Sequence, residues 1–256
     1  MESWCRLIFE GSVRLGLRQD EHILIHEGDL FANPAATGQR VNVDEAKWLA
    51  PVEPRQFLGL WNNLHEAMVH GGNKLPKSPL YFTKLADCLN QNLGDIPAPK
   101  GYGDQVLFEA ELGVVIGREC FRPARDAIDD YIFGYCCVND VTAAEPLFEN
   151  EEFPQWTRAK SYPGFGPIGP WIVRGIEPDE LQIQAFLDDE RKQDYPVSDM
   201  IFSPRDAVWQ IARELTLYPG DVIACGTSVG ACFMQPGQQI EVRIPGVGSL
   251  LNRYSG

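Results

Sequence analysis

The chain has 256 residues, 44% of them hydrophobic and 23% charged, which fits one large folded domain or one domain with a small appendage. A formal net charge of -14 argues against nucleic acid or an anionic membrane as a partner. An acidic substrate remains open, because a metal and a few local cations can reverse the field inside one cleft. The seven cysteines are odd in number and form no CxxC, so neither a disulfide framework nor a zinc knuckle is expected. The first residues lack the basic-then-apolar pattern of a signal peptide, and no run approaches the ~18 apolar residues of a membrane span. A reducing cytoplasm is the expected compartment.

Taken in chain order, residues 5–9, 12–17 and 22–25 read as short strands separated by Glu10-Gly11 and Gln19-Asp20-Glu21. His22 and His26 have no acid or cysteine at matching spacing and read as surface residues. A polar stretch, 33–44, leads to Ala50-Pro51-Val52-Glu53-Pro54. A boundary there divides a small β-rich N-terminal domain, 1–52, from a main domain, 53–256. Residues 57–68 read as a strand running into a short helix. Gly71-Gly72, Pro76 and Pro79 mark a long irregular connection of the functional or mobile kind.

Residues 108–117 carry the densest signal. Phe108, Ala110, Leu112, Val114 and Ile116 are apolar, while Glu109, Glu111 and Gly113 open the alternate register, which is the period of a strand. One face is to be buried. The other presents two carboxylates about 7 Å apart along the strand and then a glycine that clears space, a seat for a hard divalent cation. On their own, two acids fit a solvated strand face better. Further along, 131–138 is strand-like and ends at Asn139-Asp140, and 181–188 alternates weakly. Residues 204–215 have helical apolar spacing at Ala207, Val208, Ile211, Ala212 and Leu215. Turns at Tyr218-Pro219-Gly220-Asp221, Gln235-Pro236-Gly237-Gln238 and Pro245-Gly246-Val247-Gly248 feed strands at 222–225, 239–244 and 249–252.

Several of these segments follow one another in the order of a known family. They are the Glu109-Ala110-Glu111 strand, Gly134-Tyr135 with Asn139-Asp140-Val141-Thr142-Ala143, and Trp156-Thr157-Arg158-Ala159-Lys160-Ser161. Asp199-Met200-Ile201-Phe202, Pro219-Gly220-Asp221-Val222-Ile223, Gly226-Thr227 and Gly246-Val247-Gly248 complete the series. Over roughly residues 55–253 the chain resembles the fumarylacetoacetate hydrolase family. The resemblance implies an α+β, β-rich catalytic domain, a rolled mixed sheet forming a half-open barrel, after a smaller N-terminal domain. It also implies a homodimer.

Carried over position by position, the resemblance makes Glu109, Glu111 and Asp140 the metal ligands. An all-oxygen set suits Mg²⁺ or Mn²⁺, with Ca²⁺ possible, rather than zinc. Lys160 would be the active-site lysine. Thr227, with Gly226, would receive a substrate carboxylate, and Gln193 would contact substrate. His65 matches the histidine that takes a proton from the attacking water, but Met68 stands where a glutamate three residues on should orient it. Glu66 is the nearest acid and on a helix lies about 100° from His65. The family's arginine after Thr-Ala is Ala144 here, followed by Glu145, and Arg158 is the candidate to replace its charge. Trp61-Asn62-Asn63 replaces an Asn-Tyr pair before the histidine.

The activity so implied is that of a divalent-metal-dependent enzyme acting on a small 2-oxo acid, with C–C bond hydrolysis of an acylpyruvate-type substrate in aromatic-compound catabolism as the leading expectation. Decarboxylation or tautomerisation of 2-oxo dicarboxylic acids such as oxaloacetate or 2-hydroxyhepta-2,4-diene-1,7-dioate is the alternative, since it does not need the missing glutamate. A non-catalytic binding protein on the same fold and a structural Ca²⁺ site are further readings. Trp61, Tyr81 and Phe82 are candidates for either pocket wall or core.

Overall fold

A computed structural model describes residues 1–102, 105–150 and 152–256. Strand is the commonest regular structure of the described chain, and the helices are short. The main sheet runs in the order Ala35–Asn42, His22–Glu27, Ser12–Gln19, Glu2–Phe9, Gly166–Arg174, Ile132–Asn139, Ala110–Ile116, Val222–Ala224, Phe57–Trp61 and Leu80–Lys84. Val222–Ala224 pairs with Phe57–Trp61 in parallel and the other steps are antiparallel, so the sheet is mixed. Its path is open and does not close into a barrel. A second sheet, in the order Glu190–Pro196, Gln182–Leu187, Gln239–Ile244, Gly248–Tyr254 and Asp95–Ile96, packs on the first. One continuous core lies between them.

The N-terminal strands extend this main sheet directly: Glu2, Ser3 and Trp4 pair with Arg174, Val173 and Ile172. His26 differs from expectation. It is buried against Trp4, ring centroids 5.0 Å apart, with Nδ1 3.0 Å from the Leu24 carbonyl. The polar stretch after it contains the strand Ala35–Asn42, whose side chains are mostly exposed. An edge strand with both faces wet has no apolar alternation to announce it.

The strand Ala110–Ile116 also differs from the expected half-buried pattern. All seven of its residues are buried. It lies between Ile132–Asn139 and Val222–Ala224, and the second sheet packs against it, so both its faces are covered. Gly113 does not clear a cation seat. A Cβ there would stand 2.6 Å from Val138 Cγ2 and 2.9 Å from Cys136 Sγ, so the glycine admits the neighbouring strand's side chains.

Helix Pro204–Ala212 follows its sequence signals. Ser203 caps it by accepting from Asp206 N, proline opens it, and Ala207, Val208, Ile211 and Ala212 are buried. Helix His65–His70 lacks a local side-chain cap, and Asp199 Oδ2 accepts from Glu66 N in its place. All seven cysteines are free and six are buried. No helix of the described residues is long and apolar enough to cross a membrane.

Candidate active site

The pairing of Ala110–Ile116 with Ile132–Asn139 sets Ala110 opposite Asn139. The two chains continue past that pair: Asp140 N donates to the Glu109 carbonyl at 2.9 Å, and Glu109 N donates to Asn139 Oδ1 at 3.1 Å. This brings Asp140, about thirty residues away in sequence, beside the two glutamates. One carboxylate oxygen from each of Glu109, Glu111 and Asp140 lies within 4.8 Å of the others.

Two lysines serve this cluster. Lys160 ends the helix Trp156–Lys160, and its side chain is 1% exposed. Its Nζ stands 2.5 Å from Glu109 Oε2 and 2.7 Å from Asp140 Oδ2. Lys84 ends the strand Leu80–Lys84 and is fully buried. Its Nζ donates to Asp140 Oδ1 at 2.5 Å and to the Lys160 carbonyl at 2.6 Å. Sequence reasoning missed Lys84. Strand alternation puts it on one face with Leu80 and Phe82, which are exposed and half-buried, so the local pattern did not announce a buried lysine in need of an acidic partner.

The electrostatics follow from burial and charge balance. Burial, and then the Asp140 and Glu109 carboxylates, push Glu111 well above the usual glutamate range. Burial also raises Glu109, against the pull of Lys160. Burial opposes ionisation of Asp140 too, yet Lys160 and Lys84 hold it below its ordinary value. Burial works against the Lys160 ammonium, but Asp140, Glu109 and Glu111 hold it above the normal lysine value.

Three carboxylates, Glu111 and Asp140 buried and Glu109 half-buried, therefore share two ammonium groups. The unmatched charge falls on Glu111, whose Oε2 accepts from Gly226 N at 2.6 Å. A divalent cation fits this set. The donors are all oxygen, they converge, and oxygens already accepting one hydrogen bond keep further lone pairs.

Behind the carboxylates, a turn and a side chain hold the strand. Gly226 has φ of +93°, and a Cβ there would crowd Asn63 and the Leu60 carbonyl. Thr227 Oγ1 donates to the Ala110 carbonyl at 2.9 Å. Gln193 is buried, accepts from Ala110 N at 3.0 Å and donates to Thr227 Oγ1 and the Ser228 carbonyl, both at 2.9 Å. The structure thus places Gln193 as a brace behind the site, where a substrate contact was expected.

A cavity of about 280 Å³ opens onto Glu109, Thr142, Lys160, Thr227 and Ser228, with Trp61, Phe82 and Trp156 among its walls. Trp61 and Phe82 are thereby pocket wall. Tyr81 lines a different surface cleft with Lys77, Arg122 and Trp209. Ser228, unremarked in the sequence, has a buried hydroxyl without a partner among the described residues.

The remaining expected residues lie further out. Arg158 is not among the residues lining the cavity: it pairs with Glu149 at 3.1 Å and lies over the Tyr102 ring. His65 and Glu66 are exposed in the first turn of helix His65–His70; neither is among the residues lining the cavity, which Ala67 of the same helix does line. Asp199, which accepts from Glu66 N, is the carboxylate at the start of that helix, where Met68 leaves no acid.

The description "Fumarylacetoacetate (FAA) hydrolase C-terminal" matches residues 56–254, and "Rv2993c-like, N-terminal" matches 3–51. The uncharacterized protein MJ1656 of Methanocaldococcus jannaschii is 35% identical over 84% of this chain and 86% of its own length. The solved structure of 2-hydroxyhepta-2,4-diene-1,7-dioate isomerase from Mycobacterium marinum superposes with a TM-score of 0.90 at 27% identity, covering 100% of this chain and 98% of that one. Fumarylacetoacetate hydrolase from psychrophilic Exiguobacterium antarcticum gives 0.89 at 25% identity, with 100% of both chains covered. With motifs, fold and a match over most of its length in agreement, the chain belongs to the fumarylacetoacetate hydrolase family.

Proposed function

We propose that this protein is a divalent-metal-dependent enzyme that cleaves a C–C bond in small acylpyruvate-type 2-oxo acids. The observation that carries the reading is the convergence of Glu109, Glu111 and Asp140 beside a cavity that also exposes Lys160 and Thr227. The three carboxylates would hold Mg²⁺ or Mn²⁺, and the bound ion would supply Lewis-acid stabilisation of negative charge on the 2-oxo acid. The unpartnered Ser228 hydroxyl donates to the substrate carboxylate, beside Thr227, whose own hydroxyl proton is held by the Ala110 carbonyl. His65, on the helix whose Ala67 lines the cavity, takes the proton from water as the water oxygen adds to the acyl carbon. The bond between that carbon and the adjacent methylene then breaks. Its electron pair becomes the enolate of a pyruvate, Lys160 offsets the developing charge, and a proton returns to the methylene carbon. The products are pyruvate and the carboxylic acid of the acyl group.

A second reading, tautomerisation or decarboxylation of a 2-oxo acid, is favoured by the exposed position of His65 and by the likeness to the Mycobacterium marinum isomerase. It needs no activated water. Steady-state assays of acetylpyruvate and oxaloacetate with Mg²⁺, before and after chelation, test both readings. We expect turnover with Mg²⁺ and its loss on chelation. We expect Glu109→Ala and Glu111→Ala each to lower kcat by at least about 100-fold, comparable to losing a principal transition-state donor. Turnover indifferent to chelation, or a fully active double variant, rules out the metal-dependent mechanism.

A further inference from the structure

Most of the cavity lining falls into two chemical sets; the amides Asn62 and Asn73 also reach it, and Asn62 Nδ2 donates to the Lys74 carbonyl at 3.0 Å. Glu109, Thr142 and Lys160 are joined by direct hydrogen bonds and form a polar patch with Thr227 and Ser228. Trp61, Phe82 and Trp156 form the other: Phe82 stacks on Trp156 at 5.5 Å with an 18° interplanar angle, and Trp61 lies against Trp156 at 5.8 Å. Leu60, Leu107 and Leu147 extend this apolar wall. The two sets meet where Lys160 Nζ sits 5.2 Å from the Phe82 ring centre.

No cation stands ready for a second anionic group. Among the described lining residues Lys160 is the one cationic side chain, and its ammonium is already held by Glu109 and Asp140. Ala144 presents a methyl to the cavity, while the Arg158 guanidinium faces Glu149 and Tyr102. At about 280 Å³ the space falls just under the usual range for drug-sized ligands, so the occupant is small.

Resting on the reading of this site as one for 2-oxo acids, we infer that the protein selects substrates whose far end is a short neutral acyl group and rejects those ending in a second carboxylate. A neutral tail gains by leaving water for the aromatic wall. A carboxylate there would lose its hydration with no counter-charge to replace it.

The test is a matched pair, 2,4-dioxoheptanoate and 2,4-dioxoheptanedioate, which differ only in the terminal methyl or carboxylate. With water, scission between C3 and C4 yields pyruvate plus butanoate from the first and pyruvate plus succinate from the second. Selectivity is read as Kd by calorimetry with Mg²⁺ present and, where turnover occurs, as kcat/KM. The neutral acid is expected to win by at least about 100-fold, the scale on which a site rejects a group it cannot pair. Ala144→Arg, which adds a cation to the lining, should shrink that ratio at least about tenfold. Equal or reversed selectivity in the parent protein overturns the inference and leaves the 2-oxo acid reading intact. If neither acid binds and oxalate does not bind in the presence of Mg²⁺, the reading of the site falls and the inference falls with it.

Discussion

Lys84 and Arg158 show how far a cation's role depends on its surroundings. Lys84 is buried, and its Nζ donates to oxygens of Asp140 and of the Lys160 backbone while lying over the Phe57 ring. Replacing it with methionine keeps the apolar stem but leaves Asp140 with one lysine. We expect the metal-free variant to lose about 3–5 kcal/mol of stability, the usual cost of breaking a buried ion pair. Mg²⁺ should raise its Tm more than that of the parent, because added positive charge relieves the carboxylates; a Tm that ignores Mg²⁺ would count against the cluster as a cation site. Arg158 is partly exposed and its ion pair with Glu149 is solvated. Such pairs contribute about 0–1 kcal/mol, so Arg158→Ala should leave kcat/KM within about twofold. A large fall in kcat would return Arg158 to the site.

At the scale of elements, the parallel pairing of Val222–Ala224 with Phe57–Trp61 depends on one carboxylate just before the first strand. Asp221 accepts from Gln56 N at 2.7 Å, Gln56 Nε2 at 3.0 Å and Tyr218 N at 2.8 Å. Removing it orphans two backbone donors. Asp221→Ala should therefore cost about 2–6 kcal/mol, at about 1–3 kcal/mol per unsatisfied buried group, read as a lowered denaturation midpoint with an unchanged m-value. The strands flanking this joint were legible because their apolar residues are contiguous or alternate. The tie through Asp221 was not, since Gln56 and Asp221 are 165 residues apart.

At the scale of the whole molecule, the first fifty residues add strands to the edge of the catalytic sheet through Glu2–Phe9 and Gly166–Arg174. Proline- and glutamate-marked composition at 50–54 suggested a boundary; backbone hydrogen bonding continues across it in space. Large apolar side chains remain exposed, among them Leu75, Leu80, Phe121 and Phe148. With the family resemblance, this supports the proposal of a homodimer, since water-facing apolar area is a source of association energy. Light scattering during size exclusion should give twice the 28.7 kDa chain mass, and a monomer at micromolar concentration would dismiss it.

The sequence by itself determined the strand-rich class, the helix at Pro204–Ala212 and the acidic residues that meet at the site, because apolar periodicity and ordered motifs are local properties of the chain. Only the tertiary structure decided that Ala110–Ile116 is buried on both faces, that Gly113 admits a neighbouring strand, that Gln193 braces the site from behind and that Lys84 completes it. Those outcomes depend on which distant segments pack together, and a buried charge or a braced strand is defined by its partners across space.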